Sequence, residues 1–184
     1  SRNRACKPLL GKVRIKAQDA VEWHTYTFRL NQDFDWSGVI VIENLTAQTH
    51  YIYQTGFIEE EKTPDWQLDW TLTPPFHFDS APHTDASLIQ FYFGSCRYPY
   101  LINEQQKISA HFTDQCFEYM LEKHLASDKN TVDFQLLLGD QIYADPFNPA
   151  PFSSNYSFES YCESYQRSFS TPAFKRAMAH IPTY

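Results

Sequence analysis

The chain has 184 residues, with 22 acidic against 15 basic side chains and a net charge of −7, a length that suits one large domain or two small ones. An acidic balance with no Lys/Arg cluster carries no nucleic-acid-binding signature, because that recognition begins with phosphate neutralisation. No apolar stretch approaches the roughly 20 residues that span a bilayer, and Ser1-Arg2-Asn3-Arg4 opens no signal-peptide apolar core, so composition assigns no compartment.

The first part of the chain reads as β structure. Fifteen Phe, 12 Tyr and 4 Trp fit pleated, half-buried surfaces, and 11 Pro against 5 Gly indicate stiff loops. Residues 12–17 alternate polar and apolar with period two, and residues 21–30 are rich in aromatic and β-branched side chains. Residues 37–42 form a short apolar run after a Trp-Ser-Gly turn, and residues 50–54 and 66–72 alternate again. Short strands at roughly ten-residue spacing predict an all-β sandwich. Leu45-Thr46-Ala47-Gln48-Thr49-His50-Tyr51 resembles the corner segment of fibronectin type III modules, in which a Tyr hydroxyl bonds back to the backbone. It departs from that pattern at Ala47 and Gln48, where the modules carry Pro and Gly, and a generic hairpin is the alternative.

Residues 74–85, with Pro74, Pro75 and Pro82, read as a linker that separates a domain over 1–80 from one over 81–184. Beyond it, residues 88–93 form a strand. Residues 113–125 place Phe117, Met120, Leu121 and Leu125 on one helical face, with Thr113 as N-cap. Residues 132–138 are a near-continuous apolar strand, expected to be covered on both faces. Strand, helix and strand in succession make a βαβ unit of an α/β domain. Residues 156–178 read as helical, with Pro172 opening a second helix after Ser170 and Thr171. Two strands and a few helices cannot cover their own sheet, so the sequence reads as one that stops inside its second domain.

Two strand ends carry the chemistry. Phe91-Tyr92-Phe93-Gly94-Ser95-Cys96 and Leu137-Leu138-Gly139-Asp140-Gln141-Ile142-Tyr143 each hand an apolar run to polar side chains, and open α/β sheets bind ligands at the carboxyl ends of their strands. Gly139 allows a sharp turn, Asp140 has two oxygens to share between two ions, and Tyr143 follows on the same loop. Thiolate, phenolate and carboxylate are all anionic donors. A free phenol ionises only near about pH 10, so it calls for a strongly charged cation, ferric iron before zinc, calcium or magnesium. The alternatives are a plain turn at Gly139-Asp140 and a structural Cys96. Among the other cysteines, Cys6, Cys116 and Cys162 form no CxxC pair, and Cys116 and Cys162 read as buried or half-buried thiols. Arg97 is either a phosphate clamp or a surface residue, Asp145 either a supporting carboxylate or a turn residue, and His111, His124 and His180 are surface or core histidines.

Phe93-Gly94-Ser95-Cys96 followed by Leu138-Gly139-Asp140-Gln141-Ile142-Tyr143 resembles the PhoD-like branch of the calcineurin-like metallophosphoesterases. Ser-Cys stands where other metallophosphatases carry Asp-x-His. The resemblance implies a fibronectin III/immunoglobulin-like β-sandwich followed by the first half of an α/β metallophosphoesterase domain. It implies Cys96, Asp140 and Tyr143 as iron ligands, with Asp140 bridging to a second metal, calcium in the best-known type. It implies hydrolysis of a phosphoester substrate, small-molecule or polymer, by a metal-bridged hydroxide, as a phosphodiesterase or alkaline phosphatase of a family often exported. The family's next motif, a Trp-Asp-Asp-His-Glu-like block, and its later His motifs do not occur in these residues. The site therefore reads as incomplete, and this stretch alone is expected to be inactive and to hold metal weakly or not at all. A β-sandwich binding module with a structural α/β remnant is the alternative reading.

Overall fold

Alternating side chains put Leu9–Ala17 (β1) at the centre of a four-stranded antiparallel sheet in the computed structural model, which describes residues 8–34, 36–60, 68–85, 88–97, 101–102, 108–109, 114–126, 132–143 and 157–184. The chain divides into two units, Ser1–Ser80 and Ala81–Tyr184.

In the first unit, β1 lies between His24–Leu30 (β2) and His50–Glu59 (β3), and β3 pairs in turn with Phe76–Asp79 (β4). One face is apolar and aromatic. Val13 and Ile15 are buried there, Tyr51 stacks on Phe78 with centroids 5.6 Å apart, and Tyr53 packs on Phe76 at 5.5 Å. Each such aliphatic side chain withdrawn from water contributes about 1.5–3 kcal/mol. Gly11 leaves room for the Phe28 ring, which a Cβ would meet at 2.4 Å. The other face is polar but covered: Gln54 accepts from Arg14 Nε at 2.8 Å and donates to the Trp70 carbonyl at 3.0 Å, while the Arg14 guanidinium lies 4.3 Å from the Trp23 ring and 4.7 Å from that of Trp70.

Among the described residues this unit is one sheet, not the two facing sheets of the predicted sandwich. Residues 38–46 form no strand; Asn44 takes a left-handed φ of 61°, which interrupts an extended run, and Val39 and Val41 stay exposed. In the segment expected to be the last strand, Trp70–Leu72 is a 3-10 turn, because the Asp69 carboxylate accepts the Thr71 N–H and competes with extended pairing; Trp66 and Gln67 lie outside the described residues. The β4 strand falls in the expected linker. The corner bond is present: the Thr46 N–H donates to the Tyr51 hydroxyl at 2.9 Å, and Ser80 Oγ donates to the Thr46 carbonyl at 2.5 Å.

The second unit begins with Phe91–Gly94 (β5), followed by a short antiparallel pair, Leu101–Ile102 (β6) and Ile108–Ser109 (β7). Helix Gln115–Leu125 (α1) crosses over to Phe134–Leu137 (β8), which pairs in parallel with β5, as the βαβ reading expects. Phe158–Phe169 (α2) and Pro172–His180 (α3) follow, with Thr171 at the N-cap position and Pro172 in the first turn. The chain then returns to the sheet: Thr183 bridges Gln135 in parallel, and Leu137 N–H donates to the Tyr184 carbonyl at 2.9 Å.

Phe117 of α1 and Phe174 and Ala177 of α3 form the core, with Leu137 packed against them and the two rings edge to face at 5.0 Å. His124 is buried as well, whereas Leu125 of the expected apolar face is half-exposed. Only one face of the β5–β8 pair is covered among the described residues. On the other, Phe91 stacks on Phe134 at 5.2 Å and Phe93 remains exposed; in the run 132–138, expected to be covered on both faces, Phe134 and Leu136 are only half-buried and Leu138 is 62% exposed.

Candidate metal centre at two strand ends

The parallel ladder does not stop where β5 and β8 end. Leu138 N–H donates to the Gly94 carbonyl at 2.8 Å, Cys96 N–H to Gly139 at 3.1 Å and Arg97 N–H to Asp140 at 2.9 Å. These three bonds carry Cys96 and Asp140 to adjacent positions. Both residues are left-handed, Cys96 at φ 59° and Asp140 at φ 48°, next to Gly139 at φ 124°. Such backbone costs of the order of 1–3 kcal/mol per non-glycine residue and persists only where surrounding bonds impose it.

The result is a close pair of donors. The Cys96 thiol donates to Asp140 Oδ2 with Sγ 3.2 Å away, and Ser95 Oγ lies 3.0 Å from the same sulfur. Cys96 and Asp140 are exposed, and Tyr143 is half-buried three residues further along the loop. The donors fit one ion: with metal–sulfur and metal–oxygen bonds of about 2.0–2.3 Å, two ligands at right or tetrahedral angles lie about 3–3.6 Å apart. On the same loop, Gln141 Nε2 donates to the Gly139 carbonyl at 2.6 Å, and its Oε1 is buried with no hydrogen-bond partner among the described residues. Among the described residues, no group of three or more His, Cys, Asp or Glu is gathered in metal-binding geometry. A cavity of about 340 Å³ adjoins Cys96, bordered also by Gly94, Asp114, Met120, Gln135 and Gln141.

Arg97 is neither a surface residue nor free to clamp phosphate. Its Nε donates to Asp114 Oδ1 at 2.9 Å and its Nη1 to Ser168 Oγ at 2.9 Å. Its Nη2 donates to Asp114 Oδ2, to the Ser168 carbonyl at 2.7 Å and to Thr171 Oγ1 at 2.9 Å. The guanidinium also lies 4.0 Å from the Phe174 ring centroid. Asp114, the residue preceding α1, is left-handed at φ 69° and turns its carboxylate to Arg97 rather than capping the helix; Thr113 lies outside the described residues. Ser168 Oγ in turn donates to the Gln141 carbonyl at 3.0 Å. Arg97 thus ties the end of α2 and the starts of α1 and α3 to the loop that carries Asp140. Asp114, Ser168 and Thr171 have no short-range sequence signal that would have revealed this.

Cys116 is exposed rather than buried, and Cys162 is half-buried. Cys6, His111 and Asp145 lie outside the described residues.

No protein-family model matches the chain, and no curated protein matches it by sequence. Its fold is similar to that of a solved structure described as "Structure of PhoD", with a TM-score of 0.62 and 18% identity over 96% of this chain. The chain spans 31% of that protein's length. The resemblance drawn from the two motifs therefore extends to the fold.

Proposed function

We propose that these residues belong to a metal-dependent phosphoester hydrolase of the PhoD-like kind, acting as a phosphodiesterase or alkaline phosphatase. The observation that carries the proposal is the pairing of Cys96 Sγ with Asp140 Oδ2 at 3.2 Å on two interlocked strand ends, in a chain whose fold is similar to PhoD. Cys96, Asp140 and Tyr143 would hold iron, and Asp140 would share its carboxylate with calcium. Bound there, the two ions would polarise phosphoryl oxygens and supply a hydroxide for in-line attack on phosphorus.

The chain's own residues prepare that site. Cys96 would give up its thiol proton to solvent to become a ligand, and its present hydrogen bond to Asp140 Oδ2 already holds the two donors together. The left-handed backbone at Cys96 and Asp140 accompanies the approach of their side chains to 3.2 Å. On this reading residues 81–184 are part of a metallophosphoesterase domain. Residues 1–80 are an accessory module of fibronectin-like kind, an assignment that the Tyr51 corner bond supports.

The test is metal analysis and hydrolysis of a chromogenic phosphodiester by the protein from the complete reading frame that contains these residues. Iron and calcium should be present, chelation should abolish activity, and Cys96→Ser and Asp140→Asn should each lower kcat by several orders of magnitude. Protein that remains inactive and metal-free after reconstitution with both ions would overturn the proposal. The 184-residue chain alone should bind iron weakly or not at all, and stoichiometric iron would contradict that expectation.

A further inference from the structure

The first unit holds a pair of facing histidines, which shares no residue with the Cys96 site. In the pairing of β3 with β4, His50 lies opposite Asp79 and Ile52 opposite His77, so His50, His77 and Asp79 project from one face of the sheet. That face is the one opposite the Tyr51–Phe78 cluster. His50 Nε2 is 3.3 Å from His77 Nδ1, with the two rings inclined by 21°. The remaining nitrogen of His50, Nδ1, is 2.9 Å from Asp79 Oδ1.

We propose that His50 and His77 bind a divalent ion of the zinc, nickel or copper(II) class. Imidazole nitrogens suit those ions better than calcium or magnesium, which take oxygen. Two imidazole nitrogens at about 2.0–2.1 Å from one tetrahedral ion stand about 3.3 Å apart, the separation found here. Asp79 supplies a feature that a plain imidazole–imidazole hydrogen bond does not need. By accepting a hydrogen bond from His50 Nδ1, the carboxylate leaves the Nε2 lone pair directed at the gap, the arrangement that orients metal-ligating histidines.

The proton accounting closes without another reactant. With the His50 proton held on Nδ1 by Asp79, the hydrogen bond to Nε2 is donated by His77 Nδ1. On binding, that proton moves to His77 Nε2 through solvent. Both rings stay neutral and both facing nitrogens present lone pairs. The His50 side chain is 36% exposed, so water can complete the coordination. Asp79 acts through His50 and is a positioning residue, not a ligand.

The experiment uses the 184-residue chain carrying Cys96→Ser and Asp140→Asn, so that the other centre contributes nothing. Zinc chloride is titrated by calorimetry, and copper(II) is followed by electron paramagnetic resonance. One ion per chain with two-imidazole coordination is expected. Asp79→Asn should weaken zinc binding by about 10–100-fold, and His50→Gln or His77→Gln should abolish it. Unchanged zinc affinity in His77→Gln overturns the proposal. So does a copper spectrum without two coupled imidazole nitrogens, which is read on the chain with both histidines intact and so does not depend on whether the glutamine variants fold.

Discussion

Replacing Arg97 with Ala should destabilise the second unit and leave the first untouched. The Arg97 and Asp114 side chains are 6% and 3% exposed. Truncation leaves the Asp114 carboxylate with Thr171 as its remaining side-chain donor among the bonds described, strips the Ser168 carbonyl of the guanidinium, and opens a void over Phe174. Removing one partner of a buried ion pair costs roughly 3–5 kcal/mol, because the charge left behind is uncompensated. At a urea dependence of about 2 kcal/mol per molar, the midpoint should fall by roughly 1.5–2.5 M. The two units can be read separately in one sample. Trp23, Trp36, Trp66 and Trp70, the chain's 4 tryptophans, lie in the first unit, and helices α1, α2 and α3 lie in the second. Far-ultraviolet circular dichroism should therefore show the shift while tryptophan fluorescence does not. Arg97→Lys should fall between wild type and Ala, since an ammonium cannot reproduce the planar fork. A dichroism shift within the about 0.5 kcal/mol of an ordinary surface substitution, or equal shifts in both signals, would refute the reasoning.

Burial pushes the Tyr53 phenol up to about 12, against about 10 in an unfolded chain. The fold thus favours the neutral phenol. Its contribution, about 3 kcal/mol at about 1.4 kcal/mol per pH unit, is fully present below about pH 10 and is lost as pH rises towards about 12. Tyr53→Phe should remove that alkaline slope from the fluorescence-detected unfolding, and an undiminished slope in the variant would contradict the assignment. Tyr51→Phe deletes the acceptor of the Thr46 N–H and should cost about 0.5–1.5 kcal/mol, again by fluorescence. Gly139→Ala meets no neighbour within 4 Å, so its cost is confined to the backbone at φ 124°. It should lower the stability read by dichroism by about 1–3 kcal/mol and reduce bound iron in the protein from the complete reading frame.

What the sequence disclosed depended on how local the signal was. Period-two alternation located β1 and β3, and an apolar run located β8, because each needs only its own residues. Thr171-Pro172 marked the start of α3 for the same reason. The β4 strand was hidden because its four residues, Phe76 to Asp79, lie among prolines that signal a loop. Residues 37–42 have the composition of a strand, but their pairing is limited to a single bridge from Ser37 to Asn31. Cys96 and Asp140 could be nominated one at a time from two strand ends; their contact, across 44 positions, depends on the parallel pairing of those strands. Arg97 was least legible. Its partners Asp114, Ser168 and Thr171 stand 17, 71 and 74 positions away, and no periodicity connects them.

The left-handed backbone at Cys96 and Asp140 also limits how the site can diverge. Asn, Asp and His tolerate that region several-fold better than other residues with a side chain, whereas β-branched residues resist it. Mutational routes that keep the loops intact therefore pass mainly through oxygen and imidazole donors, or through glycine, which supplies none. A library randomised at these two positions should recover folded variants biased towards those residues, so the conformation of the chain filters the metals its descendants can acquire before any metal is present to select among them.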